Sequence, residues 1–81
     1  MSNVSPMQFG LRLMRRHPPF GQLPDEAIAL REVLLRAPGV AAVRSVEPHR
    51  KGGFVAVMDF DMGALDGFIN HIEADGWMNV L

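Results

Sequence analysis

Between Val40 and Asp61 the chain reads VAAVRSVEPHRKGGFVAVMDFD, two apolar runs joined by a polar turn rich in Pro, Arg, Lys and Gly. No other stretch constrains the fold as tightly. The second run, Phe54 to Phe60, alternates Phe54, Ala56, Met58 and Phe60 with Val55 and Val57, and successive strand side chains point to opposite faces. Both faces are therefore apolar. A sheet with one solvated face should read apolar inward and polar outward. This strand is expected either to be covered on both sides or to present its second face to a partner or ligand. The link between the runs is too short for the crossover that a parallel pair needs, so Val40–Val46 and Phe54–Phe60 are expected to pair antiparallel around a turn at 47–53.

The rest of the chain supplies elements that pack on this hairpin. In MQFGLRLM, Met7 to Met14, Met7, Phe9, Leu11 and Leu13 alternate with Gln8, Gly10, Arg12 and Met14, which predicts a strand with one core face. Gly10 leaves the opposite face open, as though a backbone or ligand approached there. Arg15 to Pro24 carries two adjacent prolines and Gly21 and is expected to be irregular. Pro24 then suits the start of a helix, with Asp25 and Glu26 near its positive end. Leu23, Ala27, Leu30, Leu34 and Ala37 share one face of that helix, Asp25, Ala29, Glu32 and Arg36 the other; Arg36 is placed in the last turn, and Pro38-Gly39 stops it.

After the hairpin, Asp61 is expected to cap a second helix with Met62, Leu65, Ile69 and Ile72 on one face and Phe68 beside them. Gly63 and Gly67 weaken it and allow close packing on the sheet. Gly76 suits the left-handed position after the helix, Trp77 covers the last turn near Ile72, and Trp77–Leu81 forms a short last strand. Strand, helix, strand, strand, helix, strand is the order of the ferredoxin-like α+β sandwich, a four-stranded antiparallel sheet with both helices on one face. Residues 1–6 are expected to be a flexible leader and 7–81 a single domain.

At 81 residues one core of this kind supplies only about 3–5 kcal/mol. Burying the second sheet face against another chain would add to it. The expected partner is accordingly a second copy in a homodimer, or another protein, meeting the face that carries Gly10, Arg12, Val55 and Val57. Six methionines suit adaptable packing. Met7 and Met62 read as core, and Met14, Met58 and Met78 as lying on or near the open sheet.

Cysteine is absent, which removes disulfides, iron-sulfur ligation, thiolate zinc and thiol catalysis. A formal charge of -1 gives no general reason to seek nucleic acid or an anionic membrane. No stretch approaches the roughly 18 apolar residues of a membrane span, and no secretory pattern opens the sequence, so a cytoplasmic location is expected. No nucleophile-base pair or phosphate loop of known pattern occurs; Asp59, Asp61 and Asp66 are close in sequence, but Asp61 reads as a cap and Asp66 faces solvent. Neither an enzyme nor a cofactor is expected.

The stretch LLRAPGVAAVRSV, then FVAVMDFD, then a helix ending in ADGW, resembles over about residues 30–81 the heavy-metal-associated domain of copper chaperones and metal-transporting ATPases. That resemblance implies the same sandwich and a metal loop after the first strand. The family's paired cysteines are missing, and Met14, Arg15, Arg16 and His17 stand at that place. Met14 and His17 are thus a candidate ligand pair for a soft or borderline ion, although two arginines between them repel cations. With opposite sign, Arg15, Arg16 and His17 precede a helix N-terminus and form a candidate anion site, as in acylphosphatases of this topology, whose glycine-rich signature is absent here. Arg50, Gly53, Phe54 and Val55 match part of the basic-glycine-aromatic signature of RNA-recognition motifs, but Gly52 stands where the central stacking ring belongs. His49 and His71 have no spacing that relates them to a ligand set.

Overall fold

The computed structural model describes residues 6–16 and 24–80. The expected leader, apart from Pro6, lies outside the described residues, as do His17, Leu23 and Leu81. Strands β1 (Met7–Arg15), β2 (Val40–Pro48), β3 (Phe54–Phe60) and β4 (Trp77–Val80) alternate with helices α1 (Pro24–Leu35) and α2 (Leu65–Ala74) in the order β-α-β-β-α-β. The sheet runs β2-β3-β1-β4, and all three pairings are antiparallel. This is the ferredoxin-like α+β sandwich.

Period-two alternation decides which residues meet the helices. On β3, Phe54, Ala56, Met58 and Phe60 are buried while Val55, Val57 and Asp59 are partly exposed. Opposite them on β1, Leu11 and Leu13 are buried beside Leu30 and Leu34 of α1 and Phe68 and Ile72 of α2. At one end of the core, Phe60 stacks on Phe9 at 5.5 Å and receives the Phe68 ring edge-on at 4.9 Å. At the other end Trp77, fully buried, lies tilted against Phe54 at 6.2 Å.

Several local expectations are corrected. Helix α1 stops at Leu35, with Arg36 and Ala37 bonding three residues back to Val33 and Leu34. Arg36 therefore sits just past the last turn, 4.0 Å from Glu32. The hairpin strands extend further than their apolar runs, since β2 continues to Pro48 opposite Phe54. Asp61 does cap, accepting from the Gly63 amide at 2.9 Å, but it caps a 3-10 turn, Met62–Ala64, that precedes α2. Three residues per turn rotate Met62 off the helical stripe, and it is 41% exposed. Met7 is 58% exposed because it lies beyond the aromatic cluster that closes the core. Met58 has the parity of Phe54 and Phe60 and is fully buried, so it belongs to the core and not to the open face. Gly67 approaches Pro38 in the turn after α1 instead of the sheet. His71 joins the helices directly: its Nε2 donates to the Val33 carbonyl at 3.0 Å.

Among the described residues no helix is long and apolar enough to cross a membrane.

Candidate functional site: the open face of the sheet

No described helix covers the face opposite α1 and α2. Register sets its layout. Gly10 lies opposite Val57, and Val57 in turn lies opposite Ser45, forming one row across three strands. Arg12 lies opposite Val55 on one side and Val80 on the other, and Glu47 extends that row onto β2. Met14 faces Met78 on β4. The residues expected at an interface, Gly10, Arg12, Val55 and Val57, are thus direct neighbours on the central two strands. Gly10 is exposed, and a Cβ added there would make only ordinary contacts, 3.6 Å to Val57 and 3.7 Å to the Ala56 carbonyl.

Two register shifts mark bulges in β2, leaving Ala41 and Arg44 without partners in the ladder. A bulge re-aims the side chain it releases. Arg44 forks onto Asp59, Nε to Oδ1 and Nη2 to Oδ2, both at 2.9 Å. That hydrogen-bonded guanidinium holds the Asp59 carboxyl below the usual carboxylate range, and the same carboxylate raises the pKa of Arg44.

The hairpin tip closes the other end of the face. Gly52 and Gly53 take φ of 105° and 75°, conformations that favour glycine. This geometry brings their peptide groups against β1. Arg12 donates from Nε to the Gly52 carbonyl at 2.9 Å and from Nη2 to the Lys51 carbonyl at 2.8 Å, with the Met14 sulfur 3.5 Å from the same Nη2. His49 turns inward as well, its Nδ1 accepting from the Lys51 amide at 3.0 Å. Partial burial, then the charges of Arg12, Arg50 and Lys51, push the His49 pKa down. The result is an open basin of about 490 Å³ lined by Gly10, Leu11, Arg12, His49, Lys51, Val55 and Val80.

Of the residues in the two ligand expectations, Met14 and Arg15 lie at the end of β1 and Arg16 just after it. Arg15 points to the helix side, opposite Trp77. Its Nε bonds Glu26 Oε2 at 2.9 Å, its Nη1 bonds the Asp75 carbonyl at 2.9 Å, and its guanidinium lies 4.6 Å from the centre of the Trp77 ring. A guanidinium so engaged ties β1, α1 and α2 together and has little left for an anion. Met14 presents its sulfur to the Arg12 cation, which opposes a metal ion at that atom. Arg16 is exposed, and His17, common to both candidate sets, lies outside the described residues. Among the described residues, no three His, Cys, Asp or Glu side chains converge as a metal site.

The described aromatic rings, Phe9, Phe54, Phe60, Phe68 and Trp77, all belong to or pack against the core. None is available on the open face to stack a base. Sequence reasoning leaves His49 and Lys51 in a turn and Val80 in a terminal strand. Only the tertiary register and the folded-in tip bring them to Gly10 and Arg12. The one sequence signal was the pair Gly52-Gly53, which marks a tip able to take left-handed geometry. Comparison with protein-family models, with curated proteins and with solved structures finds no match to this chain.

Proposed function

We propose that this chain is a non-catalytic interaction module that associates through the sheet face opposite its helices, with a second copy of itself as the simplest partner. The observation that carries the reading is the apolar surface of half-buried Val55, Val57 and Val80 and exposed Met78 around exposed Gly10, which no described helix covers. An apolar face of this kind supports docking because burying it removes nonpolar area from water. The face also carries both signs of charge, Arg12 and Arg44 against Glu47 and Asp59, so two copies need not repel.

Its size sets the expected strength. Four strands spaced about 4.8 Å apart and about seven residues long at 3.3 Å each give a footprint of about 19 by 23 Å. A standard interface buries about 800 Å² per partner. The flat face alone supplies about half of that, so association is expected to be weak and visible only at high concentration. Sedimentation equilibrium from micromolar to millimolar chain tests the proposal, with Val57→Asp as the comparison. Concentration-dependent dimerisation of the parent chain, abolished in the variant, supports it. A parent chain that stays monomeric throughout, with no concentration-dependent amide shifts at Gly10, Val55 or Val57, refutes self-association through this face.

A further inference from the structure

The basin at the hairpin end of the open face has features that a flat protein interface does not require. Its floor is apolar, formed by Gly10, Val55 and Val80, and its wall carries Arg12, His49 and Lys51. Among the described residues no carboxylate side chain lines it. The nearest acid along the row is Glu47, which stands beyond Val55 on the neighbouring strand.

The wall is also pre-set. Arg12 is held by two backbone carbonyls from the tip, which fixes its guanidinium without a ligand and leaves Nη1 unpartnered among the described residues. His49 spends the lone pair of Nδ1 on the Lys51 amide, so the neutral ring carries its proton on Nε2 as a donor. Lys51, exposed, adds an ammonium to the lining. Donors fixed before binding reduce the ordering cost of a complex.

We propose that this basin binds a small organic anion, a carboxylate or phosphate monoester carried on a compact apolar body. Both halves of that description are required. An inorganic anion would meet the donors but leave the valine floor wet, and a neutral apolar molecule would cover the floor but leave the cations without an acceptor. The volume of about 490 Å³ falls within the roughly 300–1,000 Å³ of small-molecule sites. The proposal does not rest on self-association, since every group it uses belongs to one chain.

Phenyl phosphate and phenylacetate are suitable probes, with inorganic phosphate and benzyl alcohol as the two incomplete ligands. Titrations are followed by backbone amide shifts at a chain concentration where sedimentation finds monomer. Both organic anions should give saturable shifts at Gly10, Lys51, Val55 and Val80, and each incomplete ligand should bind about tenfold or more weakly. Lys51→Gln, at an exposed turn position, should weaken both anions by about fivefold. Val80→Glu, placing an acid at the rim, should abolish saturation, while the dispersed spectrum of each variant verifies its fold. Absence of saturable shifts with both anions, benzyl alcohol binding as tightly as they do, or unchanged affinity in both variants would each overturn the proposal. A chain that binds the probes yet never self-associates would uphold this site and refute the interface reading alone.

Discussion

Replacing Gly53 with Ala tests the tip of the hairpin, because the structure gives that residue two separate reasons to be glycine. Its φ is 75°, and an L side chain in the left-handed region costs about 1–2 kcal/mol. A Cβ at this position would also lie 2.5 Å from Met14 Cγ and 2.3 Å from the Leu13 carbonyl oxygen. The methionine can swing aside. The carbonyl belongs to the β1 backbone, and making room for it requires moving the tip off the strand. Overpacking of that kind costs about 1–3 kcal/mol. The sum, about 2–5 kcal/mol, is comparable with the whole margin of about 3–5 kcal/mol expected for so small a core. Thermal unfolding followed by far-UV circular dichroism should show a loss of about 10 °C or more. Gly10→Ala on the same sheet is the control: its Cβ has ordinary contacts and φ is not positive, so it should be neutral or stabilising by up to about 1 kcal/mol. If Gly53→Ala melts within a few degrees of the parent chain, the tip is not packed on β1 as described, and the fixed position of Arg12 loses its basis.

Removing Arg15 should be felt throughout the core end it covers. Arg15→Ala strips Glu26, whose side chain is only 14% exposed, of its cation and uncovers Trp77. A loss of about 1.5–3 kcal/mol is expected in urea denaturation, and a change below about 0.5 kcal/mol would show that the ion pair and stacking contribute nothing net. Acidification should weaken the fold in two windows. His49 has a lowered folded pKa, so its contribution is intact above the ordinary histidine value and erodes as pH falls from there toward the folded value. Asp59, also lowered, stabilises above the ordinary carboxylate value and loses that contribution as pH falls through its folded one. Proton titrations by NMR should find both groups below their usual ranges. Lys51→Gln should move His49 part of the way back, and Arg44→Gln should return Asp59 toward the usual carboxylate range; an unmoved Asp59 would refute its stated cause, and an unmoved His49 would refute the contribution of the Lys51 charge.

Local pattern made much of the scaffold legible. The alternation from Phe54 to Phe60 names the buried residues of β3 because side-chain parity along a strand is fixed by covalent geometry. The spacing of Leu30 and Leu34 does the same for α1. Errors arose where a neighbour overrides periodicity. Met62 has the right helical spacing but the chain there takes a 3-10 turn, and Met7 has the right parity but nothing in its neighbourhood to cover it. Gly10, Arg12, Val55 and Val57 could be grouped from alternation alone. The basin could not, because it depends on bonds between Arg12 and carbonyls about 40 positions away, and backbone carbonyls carry no sequence signature. Arg15 shows the same limit from the other side: a basic run after a strand suggests a ligand loop, while its actual partners come from α1, α2 and β4.

The two bulges in β2 also govern what cannot join the sheet. An outer strand exposes a row of unsatisfied amides and carbonyls, a template on which a foreign strand can zip and from which filaments grow. Here the spacing of that row is interrupted at Ala41 and Arg44, and Pro48 removes a donor near its end. Along β2, sideways growth therefore finds no long regular template among the described residues. An assembly stacked through the proposed broad surface would terminate once two such surfaces meet, which would favour a finite complex over a polymer.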